Sequence, residues 1–316
     1  MSFLLDPEVG AGLAELFADV GDAPLPPVGD VATRRQNIEG LQATIHGALP
    51  VPADVSITDF ETTAEDGASI LLRWYAKNGA NPGSAVLYAH GGGMILSNVG
   101  IYDGPVARYV SATGVPFLSV EYRYAPEFPA PIPVTDCYAG LQWLVTHAAE
   151  LEVDPGRIAV MGDSGGGGVA ASLAVYARDK GGPSIARQIL IYPMLDDRNT
   201  TPDPELIGVA TWSYDDNATG WGALLGETAG GPDVSPYGAA ARLEDFTALP
   251  PAYIEVGERD IFRDEDLAYA QHLVAAGIST ELHLHPQVPH AFEALVPMAA
   301  ISQRSAADRH RVLGSL

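Results

Sequence analysis

Arg157-Ile158-Ala159-Val160-Met161-Gly162-Asp163-Ser164-Gly165-Gly166-Gly167 is a short apolar run that ends on a serine framed by glycines. The run has the length and continuous hydrophobicity of a strand buried on both faces of a parallel sheet. Gly168-Val169-Ala170-Ala171-Ser172-Leu173-Ala174-Val175-Tyr176 follows as a helical stretch, so Ser164 falls on a strand-to-helix turn. The frame Gly162-x-Ser164-x-Gly166 is a nucleophile elbow: small neighbours let the backbone pinch, and the hydroxyl stands free above the sheet. In a chain with 34 glycines such a frame also arises by chance, so its meaning depends on what accompanies it.

A second buried strand, Ser84-Ala85-Val86-Leu87-Tyr88-Ala89, runs directly into His90-Gly91-Gly92-Gly93-Met94. When a serine attacks an ester carbonyl, charge builds on the oxygen, and backbone amides must approach it with no side chain in the way. Glycines supply that approach. The amides of Gly91 and Gly92, joined by that of Gly165, are the assigned donors, with the register inside Gly91 to Gly93 open by one. His90, just before these glycines, is read as shaping the loop rather than binding a metal.

His90-Gly91-Gly92-Gly93 followed by Gly162-Asp163-Ser164-Gly165-Gly166 resembles the hormone-sensitive-lipase-like family of bacterial carboxylesterases, which have the α/β-hydrolase fold. Similar strings extend the resemblance across roughly residues 50 to 295: Glu121-Tyr122-Arg123-Tyr124-Ala125-Pro126-Glu127, Tyr192-Pro193-Met194-Leu195, Leu249-Pro250-Pro251, Asp260-Ile261-Phe262-Arg263-Asp264-Glu265 and Pro289-His290-Ala291-Phe292. Three positions depart from the family pattern. Gly165 stands where alanine is usual, Met94 where an aromatic is common, and Ile261-Phe262 where Pro-Leu is usual.

A serine hydroxyl needs a base within reach and a carboxylate to hold that base in one tautomer. In this fold the order along the chain is serine, acid, histidine. His272 lies in a helical stretch and reads as a surface residue. His283 and His285 alternate in the strand Thr280 to His285, with Leu282 and Leu284 on its other face. His290 follows that strand in a loop with Pro286 and Pro289, where a base must hang to reach the elbow, and with the family resemblance it is the assigned base. Ala252 to Glu258 reads as the preceding strand, and Asp260 sits just past it, where catalytic groups gather in open α/β sheets. Asp260 is therefore the orienting acid. Asp264 is its main competitor, although a helix start favours carboxylates for its dipole alone. Glu258 and Asp163 adjoin tight turns and read as structural.

With 316 residues and 47% hydrophobic content the chain can bury one large core, and no low-complexity tract, charge block or repeat divides it. Strands alternating with helices imply a mostly parallel central sheet covered on both faces. Ala64-Glu65-Asp66-Gly67-Ala68 suggests an antiparallel hairpin at its start. The expectation is a single α/β-hydrolase domain over residues 1–316, its catalytic core from about 51–195 and 241–316.

Two regions fall outside this rhythm. Residues 1–50 hold a helix from Val9 to Val20, the stretch Ala23-Pro24-Leu25-Pro26-Pro27, and a second helix around Thr33 to His46. Residues 196–240 carry Trp212, Tyr214, Trp221 and Leu225. The resemblance implies that these two regions join as a helical cap over the site. Met94 and Trp212 are then candidates to border a small apolar pocket, in the acetyl-to-hexanoyl range that the resemblance implies.

The formal charge of −23 argues against nucleic acid and anionic membrane as partners. No stretch has the apolar length of a membrane span, and Met1 to Asp6 lacks a signal peptide's basic start, so a cytoplasmic enzyme is expected. Cys137 is the lone cysteine and reads as a buried, inert thiol. The histidines have no zinc spacing and the glycine run no phosphate-loop lysine, so neither metal nor cofactor is expected. The oligomeric state stays open, a homodimer included. The leading reading is a serine carboxylesterase for short-chain acyl esters. The alternatives are a non-catalytic small-ligand receptor on the same scaffold, or a hydrolase of an amide, lactone or carbamate.

Overall fold

The computed structural model describes residues 5–18 and 26–316. In chain order the helices are α1 (Pro7–Leu16), α2 (Val31–Gly47), α3 (Asp103–Thr113), α4 (Ile132–Thr146), α5 (Gly165–Asp179), α6 (Tyr214–Leu225), α7 (Arg263–Ala275), α8 (Phe292–Leu295) and α9 (Ala300–Leu313). The strands are β1 (Val55–Thr63), β2 (Ser69–Lys77), β3 (Ala85–Ala89), β4 (Phe117–Val120), β5 (Ile158–Asp163), β6 (Gln188–Ile191), β7 (Ala252–Gly257) and β8 (Thr280–His285).

They form one eight-stranded sheet in the order β1-β2-β4-β3-β5-β6-β7-β8, the α/β-hydrolase fold. β2 pairs antiparallel with β1 and β4, and every other pairing is parallel. The expected hairpin is the β1–β2 turn, where Gly67 takes a positive φ of 88° and Asp66 accepts the Ala68 amide at 3.1 Å.

Alternation along the central strands divides the core. Leu87, Leu118, Val160, Leu190 and Ile254 face α4, α5 and α7. Val86, Tyr88, Phe117, Ala159, Met161 and Tyr253 face α3 and α9. Because both faces are covered, the strands read as unbroken apolar runs. On the edge strand β8 the histidine face is the sheltered one: His285 is buried, and Leu282 and Leu284 are exposed.

The N-terminal helix starts earlier than the sequence predicts, because Asp6 caps it by accepting the Glu8 and Val9 amides at 3.0 and 3.2 Å. Residues 1–4 and 19–25, Val20 and Pro24 among them, lie outside the described residues. α1 packs through Val9 and Leu13 against Val288, Phe292 and Ile301 rather than over the elbow. α2 is capped by Asp30 and reaches α6 through Arg34, which is 1% exposed. Arg34 Nε bonds Asp216 Oδ1 at 2.7 Å, and its two Nη atoms donate to the carbonyls of Pro26, Pro27 and Asp30. A neighbouring tie joins the Gly29 amide to Thr219 Oγ1 at 3.0 Å.

Candidate active site

β5 ends at Asp163, and α5 starts one residue after Ser164, so the serine carries the whole turn. Its φ of 56° and ψ of −123° lie in a region that side chains rarely adopt. The turn tolerates no bulk: a Cβ on Gly162 would run into the Gly166 carbonyl, and one on Gly166 into the carbonyls of Ala89 and His90. The Ser164 amide holds the turn by donating to the Ile191 carbonyl at 2.8 Å.

The loop after β8 brings His290 to this turn. His290 Nε2 stands 2.9 Å from Ser164 Oγ, and its Nδ1 2.7 Å from Asp260 Oδ2. Asp260, past the end of β7, is 1% exposed, and its other oxygen accepts the Phe262 amide at 3.0 Å. The imidazole is held edge-on by Tyr192 and Phe262, with ring centroids 4.6 and 5.1 Å away. Thr211 Oγ1 donates to the His290 carbonyl at 2.5 Å. Asp264 is not part of this cluster: it pairs with Arg263 at 2.7 Å and its side chain is 78% exposed.

The glycine loop after β3 lies against the start of α5. His90 is buried and stacked on Tyr122, whose hydroxyl donates to the His90 carbonyl at 2.6 Å. Its Nδ1 lies 2.8 Å from the Gly91 carbonyl, and burial lowers its pKa to about 4, so the ring is neutral near neutrality. A Cβ on Gly91 would lie 2.8 Å from the Tyr102 hydroxyl oxygen, and that hydroxyl donates to Asp163 at 2.9 Å. Gly92 lines the cavity beside Ser164. A Cβ on Gly165 would stand 2.7 Å from the Gly93 nitrogen and 2.6 Å from that of Met94. Among the three glycines, Gly93 lies closest to the start of α5.

A cavity of about 550 Å³ opens over Ser164 and His290. α2 forms one wall through Ile38, Leu41 and Ile45, and residues 297–310 form another. Trp212 lines it as the sequence predicts, its ring so close to Gly93 that a Cβ there would lie 2.5 Å away. Met94 does not line it. Its φ of 60° sends the side chain into the core, where it borders a separate small void with Val134, Val169 and Leu224. Asp163 lies below the site, and desolvation raises its pKa while the Tyr88 and Tyr102 hydroxyls donate to it.

Sequence reasoning passed over Tyr192, Phe262 and Thr211 as supports of the imidazole, and Arg34 as the tie between α2 and α6. Tyr192 and Phe262 sit in strings that carried the family resemblance; Thr211 and Arg34 left no local signal. Among the described residues, Glu281, His283 and Asp308 lie close enough together to share an ion, but Arg311 already pairs with both carboxylates. No helix among them is long and apolar enough to cross a membrane.

Residues 86–294 match a family model described as the alpha/beta hydrolase fold. The chain is 40% identical over 232 residues to carboxylesterase NlhH of Mycobacterium tuberculosis, covering 68% of this chain and 69% of that one. It is 32% identical to an ethyl acetate hydrolase of Pseudomonas putida, covering 82% and 81%. Among solved structures, a bacterial heroin esterase superposes with a TM-score of 0.89 at 35% identity, covering 100% of this chain and 99% of that one. A hyperthermophilic esterase from Pyrobaculum calidifontis superposes with a TM-score of 0.85 at 28% identity, covering 99% and 98%.

Proposed function

Since the chain belongs to the α/β-hydrolase-fold family, among its hormone-sensitive-lipase-like bacterial carboxylesterases, and is a carboxylic ester hydrolase, we propose that it works through an acyl-enzyme on Ser164 and prefers short acyl groups. The observation that carries this reading is the continuous relay from Ser164 Oγ to His290 to Asp260, at 2.9 and 2.7 Å.

In the proposed reaction Ser164 Oγ attacks the ester carbon while His290 Nε2 takes its proton. Asp260 keeps the Nδ1 proton in place and stabilises the imidazolium that forms. The oxyanion is received by the amides of Gly92, Gly93 and Gly165, one position along from the pair first assigned. One fact supports that register: the Gly93 amide lies beside Gly165. His290 then returns the proton to the leaving alcohol. Water, deprotonated by the same imidazole, attacks the acyl carbon and releases the acid and free Ser164. The N-terminus of α5 adds its positive dipole end where the oxyanion forms.

The cap in this reading is α2 with residues 196–240, tied by the Arg34–Asp216 pair, while α1 buttresses the His290 loop through Val288 and Phe292. The apolar wall of Ile38, Leu41, Ile45 and Trp212 would exclude water and bound the acyl chain. The test is hydrolysis of para-nitrophenyl esters of graded acyl length. Activity is expected to rise from acetyl and fall beyond hexanoyl, each fitting methylene adding up to about 0.8 kcal/mol. A folded enzyme that turns over none of them returns the reading to a ligand receptor, and one that prefers long chains removes the short-chain claim.

A further inference from the structure

The cavity wall carries more polar capacity than ester hydrolysis uses. Gln42 Oε1, Arg108 Nη1, Trp212 Nε1, Glu293 Oε2 and Ser302 Oγ are all buried, and none has a hydrogen-bond partner among the described residues. Buried polar groups in folded proteins are nearly always paired, so unpaired ones on a cavity wall point to a polar ligand. Arg108 stands out among them as the one cation, and the carboxylate of Glu293 is already paired with Arg309 through its other oxygen.

Arg108 lies on α3, near the His46 carbonyl at the end of α2. It makes no hydrogen bond or ion pair with any described residue, whereas Arg309, the other guanidinium on this wall, is paired with both Glu255 and Glu293. The seat is shaped for it. A Cβ on Gly104 would lie 3.0 Å from Arg108 Nη1 and 3.0 Å from the His46 carbonyl, so a side chain there would press on the guanidinium. Burial lowers the Arg108 pKa, the mark of a cation taken partly out of water without a counter-charge. The overall charge of −23 does not offer one locally, since exposed charges are screened beyond a Debye length of about 8 Å.

We infer that Arg108 anchors a carboxylate carried by the ester substrate, so that the preferred substrates are acidic esters. The inference rests on the esterase reading above. A planar guanidinium matches a carboxylate with two parallel hydrogen bonds, and a single unpaired cation balances one negative charge rather than the two of a phosphate. Gln42, on the α2 wall, and Ser302, on the wall of residues 297–310, add unpaired polar atoms to the same cavity. Arg108 is thus a specificity residue rather than a participant in bond breaking.

The test uses two matched pairs of esters. Para-nitrophenyl hydrogen glutarate against para-nitrophenyl pentanoate places the charge on the acyl side, and para-acetoxybenzoate against para-acetoxybenzamide places it on the alcohol side. After correction for uncatalysed hydrolysis, the ratio of kcat/KM for acid over neutral is measured in wild type, Arg108→Gln and Arg108→Lys. In one pair the ratio should fall about 10-fold or more in Arg108→Gln, chiefly through KM, and largely persist in Arg108→Lys. Unchanged ratios in both pairs overturn the inference. Should Arg108→Gln not fold, inhibition of wild-type pentanoate hydrolysis decides: benzoate must inhibit more strongly than benzamide, and the reverse order overturns the anchor. Turnover of the neutral esters with no such preference sinks this inference alone. Turnover of neither pair sinks the esterase reading with it.

Discussion

His290 Nδ1 lies 2.7 Å from Asp260 Oδ2, while Asp264, close by in sequence, turns away to Arg263 at 2.7 Å and into solvent. The two carboxylates therefore predict opposite outcomes. Asp260→Asn should lower kcat by about 10⁴-fold, since the amide no longer holds the required tautomer. Asp264→Asn should leave kcat close to wild type. The reverse ranking would reassign the acid.

Ser164→Ala should remove about 10⁴-fold or more of the rate, the scale of losing a triad member. Its melting temperature should stay near wild type, because the backbone is held by Gly162, Gly166 and the bond to Ile191 rather than by the hydroxyl. Retained turnover in a folded sample would exclude Ser164 as nucleophile.

Gly165→Ala tests the departure from the family pattern. The added methyl would stand 2.6 Å from the Met94 nitrogen and 2.7 Å from that of Gly93, both backbone, so the glycine loop must shift. The expected cost is about 100-fold in kcat, the scale of one misplaced oxyanion donor, with a smaller change in stability. Equal kcat in both forms would mean that the loop moves without losing its donors.

Arg34→Met leaves Asp216 buried and uncompensated, and should destabilise the protein by about 3–5 kcal/mol in denaturant titration. Loosening α2 from α6 should also flatten the acyl-length profile. A destabilised variant with an unaltered profile would separate α2 from substrate selection. This variant is cleaner than deleting residues 1–50, which would also strip α1 from Val288 and Phe292 beside His290.

His90 supplies a pH prediction. Its folded pKa of about 4 is below the unfolded value of 6.5, so the unfolded chain binds the extra proton first. The stability tied to its neutral form is complete above pH 6.5 and is lost as pH falls toward 4, by about 3 kcal/mol at most. His90→Asn should show a shallower fall across that window than wild type in paired unfolding curves. Parallel curves would mean that the ring titrates normally.

The sheet, Ser164 and Asp260 were legible because they are written locally: buried parallel strands read as apolar runs, and each of these two residues follows one, whereas His290 follows the half-exposed edge strand β8 and was assigned with the help of the family resemblance. Met94 was misread because its left-handed backbone, invisible in composition, turns the side chain inward. The register proposed for the oxyanion glycines rests on how their loop lies against Gly165, a contact between two segments that no local pattern announces. Arg34 and Thr211 act across long stretches of chain, 182 residues for Arg34 to Asp216 and 79 for Thr211 to His290, and no nearby pattern announces such partners.

The cavity walls come from α2, made early, and residues 297–310, made late, and 126 residues separate Ser164 from His290. At roughly 5–20 residues per second of synthesis, the nucleophile leaves the ribosome about 6–25 s before its base. Throughout that interval the apolar row Ile38, Leu41 and Ile45 lacks the wall formed by residues 297–310. A nascent chain stalled before residue 290 would thus display a sticky helix and no hydrolytic power. Chaperone capture should peak there and end when α9 docks.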